Sequence, residues 1–233
     1  MAPVHAEDAT LSATIYTTKH GLPAGPVREI DLSPSGRPYA RTSSGWFVLE
    51  GQHWKPAADY QAPAAPKPDL PERAGALLAT AQAGEAVAAG CRRGLFVRNA
   101  PTAPWREVTL VEEERGLKEV AALAFDTAGT LWFGAHEGLG WVESDKARLI
   151  VKGSAYSRAT CAAANRSGVW FGTERGLVVV AGTRINSILG SATLPDNHVT
   201  SLASTGEGVL WVGTIDGVSR IVPPWGRGHP VRD

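Results

Sequence analysis

The residues best suited to chemistry in this chain sit in short polar steps between apolar runs. Arg92 adjoins Arg93, His136 adjoins Glu137, Glu174 adjoins Arg175 and Ile215 adjoins Asp216, while a second set adds Arg158 and the triplet Asp196, Asn197 and His198. Guanidinium groups are planar forks that grip carboxylates and other oxyanions through paired hydrogen bonds, and imidazole, amide and carboxylate groups supply further donors and acceptors. The ligand-binding candidates are Arg92, Arg93, His136, Glu137, Arg158, Arg175, Asp196, His198 and Asp216. Each is also a residue type that ordinary surface turns leave in water, so their case rests on whether the fold gathers them.

Nucleophilic and metal chemistry need tighter constellations. The histidines His5, His20, His53, His136, His198 and His229 are dispersed, and no HxH, HExxH or Cys/His spacing sets two ligands together. There is no GxSxG elbow, P-loop or dinucleotide fingerprint. No catalytic residue, metal or cofactor is therefore expected. Lys plus Arg and Asp plus Glu each number 23, so no net positive field gathers nucleic acid or an anionic membrane surface. No apolar run approaches the roughly 20 residues of a membrane helix, and no membrane insertion is expected. Cys91 and Cys161 belong to no metal pattern and read as small core side chains. Near the amino terminus, Val4-His5-Ala6 has the small-x-small form of a signal cleavage site without an apolar segment before it.

The elements that must hold these polar steps repeat. LWFGAHEGL from Leu131, VWFGTERGL from Val169 and LWVGTIDGV from Leu210 are one phrase. With the second glycine as anchor, weaker copies RPYARTSSGWFVLE and EAVAAGCRRGLFVRN extend it back to Gly45 and Gly94, and successive anchors lie 49, 44, 38 and 41 residues apart. A four-stranded propeller blade has this length, about 40 to 50 residues. Six residues before each anchor stand Tyr39, Ala88, Trp132, Trp170 and Trp211, and four before stand Arg41, Gly90, Gly134, Gly172 and Gly213. Both positions share one strand face, so a large indole beside a bare glycine predicts close stacking of one sheet on the next. The first two copies read as decayed blades.

Upstream of each anchor runs a segment of small residues, such as VAALAFD, ATCAAAN or VTSLAST. Small side chains suit an innermost strand, where sheets converge on an axis. A third strand follows each anchor and, in all copies but the last, a fourth; beyond Val222 the chain reads PPWGRGHPVRD, a poor strand. The β-branched segment ATIYTTK at residues 13–19 is expected to supply the missing outer strand beside 217–222 and close the ring. The expected fold is thus all-β: a single β-propeller domain over 1–233, with five four-stranded blades near 20–56, 75–111, 117–153, 157–190 and 194–222 plus 13–19. Residues 57–74, AADYQAPAAPKPDLPERA, read as a Pro- and Ala-rich insertion, an extended or mobile loop with no core of its own.

The order GLPxxxV, inner strand, LWxGTxxGL resembles the two-component regulator propeller repeat of bacterial hybrid sensor kinase ectodomains and related stand-alone proteins. GLPAGPV at 21–27 and LPDNHV at 194–199 carry the first element, and GLKEV at 116–120 carries part of it. The resemblance covers nearly the whole chain as five repeats and is strongest in the last three. It implies a periplasmic or extracellular sensor or scaffold component that meets a small polar ligand, a glycan, a peptide or a protein partner. In propellers, the loops joining strands two and three and those joining successive blades emerge on one face around the channel, which would gather the candidate residues. The expected function is a monomeric, non-catalytic binding module with a polar rim of mixed charge. The alternative is a propeller lyase or hydrolase with a metal in the central channel, drawing on His136 with Glu137 or on Asp196, Asn197 and His198. Convergence of these groups on one point separates the two readings.

Overall fold

The computed structural model describes residues 12–64, 67–113, 115–153, 159–182, 184–188, 192–205 and 208–222. Arg158 and the Val4-His5-Ala6 triplet lie outside them. Strand β1 (Ser12–Tyr16) precedes a first antiparallel meander of β2 (Glu29–Leu32), β3 (Pro38–Thr42), β4 (Gly45–Glu50) and β5 (His53–Pro56). The second meander runs β6 (Leu77–Ala83), β7 (Ala86–Cys91), β8 (Gly94–Arg98) and β9 (Arg106–Leu110), and the third β10 (Ala122–Phe125), β11 (Leu131–Ala135), β12 (Gly138–Glu143) and β13 (Lys146–Lys152). The fourth is β14 (Ala159–Asn165), β15 (Gly168–Thr173), β16 (Gly176–Ala181) and β17 (Arg184–Ile188), and the last holds β18 (Val199–Ser204), β19 (Leu210–Thr214) and β20 (Gly217–Val222). The outer strands β9 and β13 pair in parallel through Thr109↔Lys146 and Leu110↔Ala147, which joins the second and third meanders into one eight-stranded sheet.

Strand β1 completes the last sheet, pairing with β20 from Ser12↔Val222 to Tyr16↔Val218. That is the partner expected of the ATIYTTK segment, although its end departs: Thr18–His20 coil into a 3-10 turn. Where the repeated phrase carries a threonine, at Thr42, Thr173 and Thr214, that residue fixes where the hairpin turns. Thr173 Oγ1 donates to the Gly176 carbonyl at 2.9 Å and accepts the Arg175 N–H at 3.0 Å. Thr214 clips the Asp216–Gly217 turn in the same way at 3.2 and 3.1 Å. Such local hydroxyl bonds satisfy turn amides and carbonyls that the ladder leaves over.

The inner strands lie side by side in the order β2, β18, β14, β10, β6. Their close approach depends on the glycine four residues before each of the last four anchors. A Cβ on Gly172 would sit 2.5 Å from both Cys161 Sγ and Val199 Cγ1, and one on Gly134 would collide with the Ala159 Cβ. Gly90 faces the Val120 carbonyl and Gly213 faces Ser201 in the same manner. The indoles fill the space beside these contacts. Trp170 is fully buried against Leu194, Leu210 and Ile221, and Trp211 packs with Tyr16, Phe47 and Trp54.

Between β6 and β2, the two ends of this series, no comparable packing occurs among the described residues. Here the glycine position holds Arg41, ion-paired with Glu29 at 3.0 Å, and the indole position holds Tyr39. Tyr39 stacks on Tyr60 with centroids 3.6 Å apart, and the Tyr60 hydroxyl bonds Asp31. On the other side of the seam Leu70 and the buried Ala74 pack on Ala89, Cys91 and Phe96. The 57–74 segment, expected as a loose loop, is therefore a wedge whose described ends are packed on the first and second meanders.

Candidate functional site

The rim that carries the sequence candidates is held together by its own backbone. The Arg92 carbonyl accepts the Glu119 N–H at 3.0 Å, the Lys118 carbonyl accepts the His136 N–H at 2.9 Å, and the His198 carbonyl accepts the Ile215 N–H at 3.2 Å. Each bond ties a strand-two to strand-three turn to a segment that leads into an inner strand, so both loop sets lie on one face. Spent in this way, the amides and carbonyls fix the loops and leave the side chains to face water.

The candidates divide by what their side chains do. Arg92, Arg93, His136, Arg175 and Asp216 are exposed at their turns, and among the described residues Arg92, Arg93 and Arg175 form no ion pair. Glu137 is different: its side chain is only 6% exposed, its Oε1 accepts Arg115 Nη1 at 2.8 Å, and its Oε2 accepts the Lys118 N–H at 3.1 Å. The hydrogen bond from Arg115 to Glu137, joined by one to Glu113, pushes the Arg115 guanidinium further above its ordinary range. Glu137 thus works as a clamp on the loop before β10. Asp196 accepts the His198 N–H at 2.6 Å, a turn bond that holds the entry to β18. His136 and Glu137 do not converge with Asp196 and His198: no three His, Cys, Asp or Glu side chains among the described residues group as metal ligands. Arg158 lies outside the described residues.

Two features escaped sequence reasoning. Trp46, edge-on to Tyr60 at 5.1 Å and under Arg41 at 5.9 Å, completes an aromatic cluster at the seam. The signal was the unpaired tyrosine in a proline-rich segment, whose partner lies too far back in the chain to be found by spacing. The other is Arg220 on β20, over the Trp211 ring.

The thiols are not a reactive pair. Cys91 and Cys161 are both free, and burial raises both pKa values, that of Cys161 to about 12. Thiolate is the reacting form, so iodoacetamide at pH 8 should label neither residue in the native protein and both after denaturation. Because the unfolded thiol ionises first, stability from Cys161 is intact below about pH 9 and declines as pH rises toward 12. Rapid native labelling would contradict the burial.

The two component regulator propeller model matches residues 193–216, from the segment before β18 through the turn after β19. The structure of virginiamycin B lyase from Staphylococcus aureus aligns with a TM-score of 0.58 and 11% identity, covering 91% of this chain and 99% of that one. The extracellular domain of BT3049, a hybrid two component system of B. thetaiotaomicron, aligns at 0.53 with 13% identity over 91% of this chain and 42% of its own. That of BT4673 from the same organism aligns at 0.51 with 13% identity over 86% and 38%. The chain therefore spans about two fifths of these sensor domains. No curated protein matches the sequence. At such identities the likeness is one of fold, and no helix among the described residues is long and apolar enough to cross a membrane. Residues 193–216 match the two component regulator propeller model, within an all-β chain whose fold is similar to that of propeller-like extracellular domains of bacterial sensor systems.

Proposed function

We propose that this chain is a five-bladed propeller, closed by its amino-terminal strand, that acts outside the cytoplasm as a non-catalytic binding module of the sensor type. The observation that carries the reading is the rim itself: turns braced by backbone bonds at Arg92, His136 and Ile215, on a face where the exposed arginines Arg92, Arg93 and Arg175 hold no carboxylate among the described residues. Rigid loops with uncommitted planar donors are pre-organised for a polar or anionic ligand, because little ordering remains to be paid on binding. The rim ligand is a glycan, a peptide or a small polar molecule, bound by Arg92, Arg93, His136, Arg175, His198 and Asp216, with Glu137 and Asp196 shaping the loops.

A thermal-shift screen of oligosaccharides and short acidic peptides tests this directly. A ligand at about 100 times its Kd should raise the unfolding free energy by about 2.7 kcal/mol. Arg92→Ala with Arg175→Ala should weaken that ligand while leaving stability of the free protein within about 0.5 kcal/mol, as exposed substitutions do. A hit that survives both substitutions unchanged would place recognition elsewhere.

A further inference from the structure

On the opposite rim a cavity of about 480 Å³ opens between the first and last sheets. One wall is the β2–β3 turn with Ser33 and Ser35, the other is formed by Ser204 and Thr205 at the end of β18, and the two meet where a Cβ on Gly36 would lie 3.8 Å from Thr205 Cγ2. Leu32, Val209 and Trp211 give it an apolar floor. Over that floor lies Arg220, its guanidinium 6.0 Å from the Trp211 ring centroid.

Arg220 stands apart from the other strand arginines. Arg41, Arg106 and Arg148 each pair with a carboxylate and Arg98, over the Trp105 ring, donates to the Pro101 carbonyl at 2.9 Å, whereas Arg220, partly buried, has neither a carboxylate nor a hydrogen-bond acceptor among the described residues. No acidic side chain among the described residues lines the cavity. A guanidinium drawn partly out of water with its donors unmatched favours an oxyanion, which it grips with two parallel bonds while its plane rests on the indole. The serines add a donor. Ser33 and Ser35 share one hydrogen bond at 2.9 Å, and Ser33 Oγ also accepts the Arg37 N–H at 3.1 Å. Two hydroxyl hydrogens serve one mutual bond, so one remains for a ligand. A single cation over an apolar floor suits a carboxylate on a hydrocarbon body better than a phosphate dianion.

We propose that this cavity binds a small organic carboxylate, its charge on Arg220 and the serine pair and its apolar body on Trp211, Leu32 and Val209. The site is separate from the rim of the proposed function and does not rest on it. Its walls come from the first sheet and the last, which β1 completes, so occupancy ties the first sheet to the last.

Benzoate is the probe, titrated by calorimetry and by tryptophan fluorescence, with benzamide and inorganic phosphate beside it. Wild-type protein should bind benzoate saturably, and benzamide and phosphate at least tenfold more weakly. Arg220→Gln should weaken benzoate at least tenfold. Ser35→Phe, an exposed turn position that fills the cavity from its wall, should do the same with an unchanged circular-dichroism spectrum, and it decides the matter if Arg220→Gln does not fold. Arg92→Ala with Arg175→Ala should leave benzoate binding unaltered, which keeps this test distinct from that of the rim. Absence of saturable benzoate binding, equal affinity for benzamide, preference for phosphate, or full affinity in either cavity variant would overturn the proposal.

Discussion

Replacing Trp170 with alanine should lower the unfolding free energy by about 3–5 kcal/mol, the cost of deleting a large aromatic from a core that cannot collapse around the void. Trp170 has no exposed surface and fills the interface between the fourth and last sheets, against Val199, Leu210 and Ile221. Its Nε1 donates to Asn165 Oδ1 at 3.3 Å, an oxygen that also accepts the Ser167 N–H at 2.9 Å. Truncation therefore removes both contact area and one arm of a buried polar network. Trp132 should cost less, because it is only half-buried beside Trp141 and its Nε1 is held by Asp126 at 2.8 Å. Tyr39→Ala, at the seam, should cost least of the three. Urea unfolding of the three variants checks the order. Equal losses at Trp170 and Tyr39 would mean that the sheets do not derive their cohesion from these interfaces.

This graded series follows from what the repeat does and does not reveal. The phrase LWxGT is legible because the same contacts recur: an indole against the neighbouring sheet, a glycine where the next inner strand passes, a threonine that clips the hairpin. Arg41 in the glycine position reads in the sequence as decay. In the fold it marks the place where, among the described residues, no inner strand packs, and its side chain pairs with Glu29. Departures from a repeat are thus as informative as matches, once the contact that enforces the match is known.

Other parts were hidden for physical reasons. Glu137 looks like half of a ligand pair because it follows His136, yet its carboxylate is spent on Arg115 and on the Lys118 N–H; partners of that kind are set by loop geometry, not by spacing. The wedge was opaque because Tyr60 and Leu70 follow no strand or helix period. Arg220 was in plain view within GVSRIV, where alternation places it on the face of Val218 toward the buried Trp211 and Tyr16. A charged residue on an apolar strand face is the kind of local conflict that tends to mark function.

Removing residues 1–17 should convert the folded protein into an aggregating species, the second large effect expected of this chain. The deletion takes away β1, whose five residues pair with Val218–Val222, and so leaves β20 as an open edge with unpaired N–H and C=O groups ready to template other chains. It also removes Tyr16, which is 6% exposed and lies 6.1 Å from the Trp211 ring and 6.0 Å from that of Trp54, so two buried indoles meet water together. Burial is the dominant favourable term, at roughly 25 cal/mol per Å² of apolar surface, and a domain stable by about 5–15 kcal/mol has little margin for losing both at once. Light scattering and size-exclusion chromatography should report the loss of monomer. A synthetic peptide of residues 8–20, added during refolding, should restore it by filling the vacant edge, whereas the same peptide with Tyr16→Ala should do so poorly. A truncated chain that stays monomeric and unfolds at the temperature of the full chain would show that the last sheet does not need its amino-terminal strand.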